Sequence, residues 1–269
     1  MFGLVLSGFF LGDIMSMILR HFFGSYAWRA AFISGSFVAF ISYYIRSRLK
    51  ETFMFQELAK KEVFPLKEVL QNHLRNVVGS LFCISLVALY GAIISLYLPK
   101  YLTHYLGYNI RLISSIMIVS SIINVFGVIL TSWASDYIDY LKLYKRLAIS
   151  LIIVSYPAFH MMQLHNTALL FIAIATISLI VSMASGLFMR ISCEAFPTKI
   201  RLTGVGIAYN LAFALVGGFG PLVIEFFIKT VNLTAGPIFV SVICGIMGYL
   251  SIPILAIKPQ SFLQEKKIN

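Results

Sequence analysis

Acidic residues are scarce in this sequence: ten Asp and Glu stand against 21 Lys and Arg in 269 residues, and only 12% of positions carry charge. Soluble domains usually carry about 25% charged residues. With 59% hydrophobic residues, the chain has more apolar surface than a water-exposed globule of its length can hide. Cysteine is almost missing. Cys83, Cys193 and Cys244 are odd in number and scattered in or beside apolar runs. They exclude a disulfide framework and lack metal-ligand spacing, so each is read as a small packing residue. His73, His160 and His165 have no ligand company, and no metal site is expected. No zinc-protease, nucleophile-elbow or phosphate-loop motif is present, so neither an enzyme nor a cofactor is expected.

What the chain has is long apolar runs. Stretches of about 18 or more apolar residues are transmembrane candidates. Eight are read, at 2–19, 28–45, 77–98, 112–133, 147–164, 168–189, 204–228 and 236–257. They lack the strict alternation of barrel strands, which leaves helices. The fold class is therefore all-α, a polytopic transmembrane bundle of about eight helices in a lipid bilayer. No Lys or Arg precedes the first run, which is also too long for a signal peptide.

The net charge of +11 is carried by short connectors between apolar runs, which argues against a nucleic-acid partner. An even number of spans puts both termini on one side. That side holds sixteen basic residues, among them Arg46, Arg48, Lys50, Lys142, Arg190, Lys199 and Arg201. The other holds five: Arg20, Arg29, Lys100, Arg111 and Lys229. The bias places both termini in the cytoplasm. Within the longest connector, Pro65 opens a short amphipathic helix with Leu66, Val69, Leu70 and Leu74 on one face, lying on the inner membrane surface. A solvated linker is the other reading of that segment.

Between the sixth and seventh runs stands Glu194-Ala-Phe-Pro197-Thr198-Lys-Ile-Arg201-Leu-Thr203-Gly204, followed by Tyr209-Asn210 and Gly217-Gly218. With Trp28-Arg29-Ala-Ala-Phe32, Arg46-Ser-Arg48 and Leu98-Pro99-Lys-Tyr101-Leu102, this segment resembles the metabolite–proton symporter branch of the major facilitator superfamily, which includes proline/betaine transporters. The resemblance implies helices five to twelve of a twelve-helix fold. Residues 1–45 would supply two helices of the first bundle, 46–76 a cytoplasmic linker, 77–258 a six-helix second bundle and 259–269 a tail. It also implies a bacterial inner-membrane protein that moves a small organic solute with a proton by alternating access, a second chain supplying the four helices not found here. Two positions depart from the family pattern: Phe53 replaces a proline, and Trp133-Ala-Ser-Asp136-Tyr137-Ile-Asp139 keeps only the acid of a conserved-looking loop motif. Together with the four helices not found here, these departures leave a non-transporting remnant of a split or degraded transporter gene as the alternative.

The charged hinge is read as a cytoplasmic gate built from Asp136, Arg190, Glu194, Arg201 and Gly204. Arg190 and Glu194 are spaced to pair. Pro197 stops one helix, and Thr198 or Thr203 caps the next. Gly204 and Gly206 leave a helix start open to a carboxylate, and Asp136 is expected beside Met1 to Leu4. The candidates for the solute or ion pathway are Asp13, Tyr90, Tyr209 and Asn210. Asp13 is an acid deep in a span, where function and a structural hydrogen bond are both open. Tyr90 offers an aromatic face to a cation. Tyr97 and Tyr101 are read as an interfacial belt. Asn210 calls for a cavity or a bond to another helix, and Glu225 for a pair with Lys229.

Overall fold

Short polar side chains mark where the helices begin. Asn109 accepts from the backbone N–H of Arg111 at 2.9 Å, Asp139 from Leu141 and Lys142 at 3.1 Å, and Asn166 from Ala168 and Leu169 at 2.9 and 3.2 Å. Each satisfies first-turn donors that the helix leaves unpaired.

The computed structural model describes residues 22–48 and 65–255, together with Met15, Ile18 and Leu19. Every regular element among the described residues is helical. The chain divides into two units, residues 1–63 and 64–269. In the first, α1 spans Ala27–Arg48 and covers the predicted 28–45 run. The predicted 2–19 run, with Asp13 and Met1 to Leu4, lies outside the described residues apart from those three positions.

The second unit contains α2 (Pro65–Asn72), α3 (Leu74–Ala88), α4 (Leu98–His104), α5 (Ile110–Ala134), α6 (Tyr140–Gln163), α7 (Thr167–Glu194), α8 (Arg201–Ala212), α9 (Gly220–Thr230) and α10 (Ala235–Leu255). All six apolar runs predicted from residue 77 onward are helical over their described residues, the last of them to Leu255. Helix α5, helix α7, the continuous run 201–230 and α10 are long and apolar enough to cross a membrane. Only 22% of the most apolar stretch of 201–230 is buried. Apolar helices this exposed need lipid or another apolar surface around them.

π-Helical segments, Leu89–Tyr97 and Phe213–Phe219, join α3 to α4 and α8 to α9. Each is followed two residues later by a proline, Pro99 or Pro221. Proline brings no N–H, and its ring crowds the carbonyl four residues back, so the preceding turn widens. Pro157 is accommodated inside α6 without that widening, so proline alone does not dictate it. The two segments meet: a Cβ on Gly91 would lie 3.3 Å from the Phe213 ring.

Helices α5 and α7 run side by side in the same direction through small and hydroxyl-bearing residues. Ser120 and Ser178 share a hydrogen bond at 2.7 Å, and the Ser132 hydroxyl donates to the Gly186 carbonyl at 3.2 Å. Small residues let the two backbones approach, and this approach sets the register at the charged end of the pair. Cys83 and Cys244 are buried, and Tyr144 donates to the Cys83 carbonyl at 2.5 Å. These two cysteines pack in the core, as expected.

Candidate functional site

The register of α5 against α7 delivers Arg190 to the loop that follows α5. Its Nη1 donates to Asp136 Oδ1 at 3.1 Å and to the Ser135 carbonyl and hydroxyl at 3.0 and 3.2 Å. Its Nε donates to Glu194 Oε1 at 3.2 Å, one turn along α7. The guanidinium lies over the Tyr140 ring at 4.4 Å, and the Tyr140 hydroxyl donates to Glu194 Oε2. One planar cation thus joins two carboxylates, a loop backbone and an aromatic face on three elements. The fixed fork of arginine suits that task, and the point charge of lysine does not.

The expected Arg190–Glu194 pair is present. Asp136 and Arg190 also meet, a contact the spacing did not indicate. The expectation that Asp136 lies beside Met1 to Leu4 concerns residues outside those described.

Helix α7 ends at Glu194, ahead of Pro197, as the proline stop predicts. Other parts of the hinge differ from expectation. Ile200, not Thr198 or Thr203, occupies the N-cap of α8, and no side chain caps it. The Arg201 Nε reaches back to the Phe196 carbonyl at 3.3 Å, and Asn76 Nδ2 donates to the Ala195 carbonyl at 2.6 Å. Arg201 and Asn76 therefore hold the turn from both sides. Gly204 is not open to a carboxylate: a Cβ there would lie 2.5 Å from the buried Phe196 ring. The aromatic residue fills the space that glycine leaves. Gly206 has nothing within 4 Å of a Cβ, so it matches the open reading.

Of the pathway candidates, Tyr209 stacks on Phe213 with ring centroids 4.6 Å apart. Asn210 is exposed and donates to the Gly206 carbonyl of its own helix at 2.8 Å, an intrahelical partner in place of the interhelical bond. An amide one turn below supplies the nearest acceptor. The Tyr90 backbone is part of the π-helical segment, and its side chain lies outside the described residues.

Glu225 ignores Lys229. It accepts from Lys100 Nζ at 3.1 Å, from the Tyr97 hydroxyl at 3.0 Å and from the Tyr105 hydroxyl. Tyr101, 0% exposed, donates to the Leu233 carbonyl at 2.9 Å. Tyr97 and Tyr101 are buried clasp residues, not a lipid-facing belt.

A family profile described as Major Facilitator Superfamily matches residues 1–221. The chain belongs to the Major Facilitator Superfamily. It is a multi-pass membrane protein. It is 24% identical to the "Ectoine/proline transporter ProP" of Corynebacterium glutamicum over 87% of this chain and 51% of that protein. It is 22% identical to the "Citrate-proton symporter" of Klebsiella pneumoniae over 83% of this chain and 51% of that protein. It is also 22% identical to the "Proline/betaine transporter" of Escherichia coli K12 over 91% of this chain and 52% of that protein. The chain spans about half the length of these curated relatives. No solved structure matches it.

Among the residues of this Major Facilitator member that sequence reasoning passed over are Ser135, Tyr140 and Asp139. Burial opposes ionisation of Asp139, but backbone N–H donation from Lys142 and Leu141 and the Lys142 ammonium at 3.3 Å outweigh it. Its carboxyl is therefore held below the usual carboxylate range. Asp139→Ala is expected to cost about 1 kcal/mol, the usual worth of an N-cap. That stability is full above the unfolded carboxylate pKa of about 3.9 and is lost as pH falls through the lower folded value. Thermal unfolding of both proteins should show a gap at neutral pH that closes in strong acid. A constant gap would mean that the capping charge is irrelevant.

Proposed function

We propose that this chain forms part of a proton-coupled symporter for small organic solutes, of the proline/betaine or organic-acid kind, working by alternating access of two helical bundles. The observation that carries the reading is the family match, to which the names of the relatives add the solute class. The Arg190 node supports a gate role for Asp136, Arg190 and Glu194, with Tyr140 added and Arg201 and Gly204 as its scaffold. Residues 77–258 act as the second bundle, and residues 1–45 belong to the first. The basic connectors face the cytoplasm of a bacterial cell, which puts the Arg190 node at the inner surface.

The remnant reading rested on the decay of the loop around Asp136 together with the four first-bundle helices not found here, and only the first of these grounds bears on the node. Against it, the surviving acid is engaged with Arg190.

Uptake of labelled proline, betaine and citrate by cells expressing the chain, with and without co-expression of the four first-bundle helices, tests the proposal. Accumulation that collapses when the proton gradient is dissipated is the expected result. Accumulation indifferent to the gradient would overturn the coupling, and no accumulation of any of the three would overturn transport by this chain. A protease site placed in 195–200 and cut only from outside intact cells would overturn the orientation.

A further inference from the structure

The basic end of the second unit carries a groove that the transport reading does not use. It has a volume of about 510 Å³ and is lined by Leu74, Arg75, Val78, Leu250, Pro253 and Ile254. Leu74, Val78 and Leu250 are exposed although they are apolar. Arg75 is the sole charge in the lining. Its Nε donates to the Ile254 carbonyl at 2.8 Å and its Nη2 to the Pro253 carbonyl at 3.3 Å.

Those bonds have a simple cause. A helix carbonyl keeps a lone pair free for a side-chain donor, and a guanidinium offers several donors in a fixed fork. Docked there, the guanidinium is fixed at the rim of an apolar trough. Two neutral carbonyls do not cancel its charge, and a guanidinium has five N–H donors. The helix that precedes α3 in the chain, α2, buries Val69 and leaves Leu66 and Leu70 exposed. An apolar trough with one immobilised arginine at its mouth matches a molecule with an anionic head and a hydrocarbon tail. Basic sites between helices at the cytoplasmic boundary suit acidic lipid headgroups.

We propose that the groove between α3 and α10 binds one anionic phospholipid, its phosphate on Arg75 and an acyl chain along Leu74, Val78 and Leu250. The assignment to the inner leaflet rests on the orientation proposed above, but the binding chemistry does not. Head and tail contribute separately: the arginine selects charge, and the trough supplies apolar contact and excludes water. The lipid would brace the contact of α3 with α10 at the end where Pro253 interrupts the helical ladder.

The test is native mass spectrometry of the full chain released from nanodiscs of phosphatidylglycerol or of phosphatidylcholine. The wild-type chain should retain one phosphatidylglycerol in preference to phosphatidylcholine. Arg75→Gln should lower that preference about fivefold, the worth of one basic residue at an anionic surface. Leu250→Trp, which fills the trough and keeps the arginine, should lose the bound lipid of either kind. Equal retention of both lipids by the wild type, or no retained lipid, overturns the site. If Arg75→Gln does not fold, Leu250→Trp decides, and wild-type retention of phosphatidylglycerol by that variant also overturns it. Nanodiscs are symmetric, so failure here removes the lipid site and leaves the orientation and the transport reading standing.

Discussion

Gly186→Ala is expected to destabilise the second unit by about 2 kcal/mol, within the usual cost of overpacking. A Cβ at this position would lie 2.8 Å from the Val128 carbonyl oxygen and 3.3 Å from the Ser132 amide nitrogen. Both are backbone atoms of α5 and cannot turn aside as a side-chain tip can. Relief comes only by moving α5 away from α7. That stretches the Ser132–Gly186 and Ser120–Ser178 hydrogen bonds and draws Ser135 and Asp136 from Arg190. Gly206→Ala is the control. It too lies within a helix, but nothing stands within 4 Å of its Cβ, and alanine there should be neutral or gain up to about 1 kcal/mol from helix propensity. Thermal unfolding in detergent compares the two. Equal effects would show that the α5–α7 contact is looser than described.

Arg190→Ala should be the most damaging change at the charged node, costing about 2 kcal/mol and most of any transport activity. The size follows from charged hydrogen bonds rather than from the ion pairs as such, because exposed pairs contribute little. Arg190 is 28% exposed at its side chain, whereas Asp136 is 71% exposed, so the cation is the less solvated partner. Removing it leaves Glu194 and Asp136 without their shared counter-charge and the Tyr140 ring without its cation. Arg190→Lys should recover less than half the loss, since an ammonium cannot serve Ser135, Asp136 and Glu194 while covering the ring. Unfolding and uptake measured on the same preparations separate two roles. A lysine variant with normal stability and normal uptake would remove the node from the gate.

Much of this architecture was readable from hydropathy. Runs of apolar residues without alternation have one spanning solution, the helix, because lipid offers no partner to the backbone. The caps Asn109, Asp139 and Asn166 went unread, although short polar side chains just ahead of an apolar run are the signal for a helix start. The Arg190–Glu194 pair followed from spacing alone, since residues four apart share a helix face. Misreadings arose where a local rule met a partner from elsewhere in the chain. Glu225 and Lys229 have ideal spacing, yet Lys100, Tyr97 and Tyr105 converge on that carboxylate from another helix. Three donors brought by packing outcompete one neighbouring lysine. Gly204 was read as vacancy, and the vacancy is taken by Phe196, eight positions earlier and beyond any helical spacing rule once the chain has turned at Pro197.

The amino-acid order alone dictated helices, their approximate limits and the clustering of basic connectors, because these depend on neighbours within a few residues. Partner choice was decided only when α5 came against α7 and α4 against α9. Which carboxylate meets which cation, which glycine is filled, and where a trough with an arginine at its lip opens all depend on the offset between packed helices. That offset is set by small residues such as Gly186, whose contacts lie more than fifty positions away.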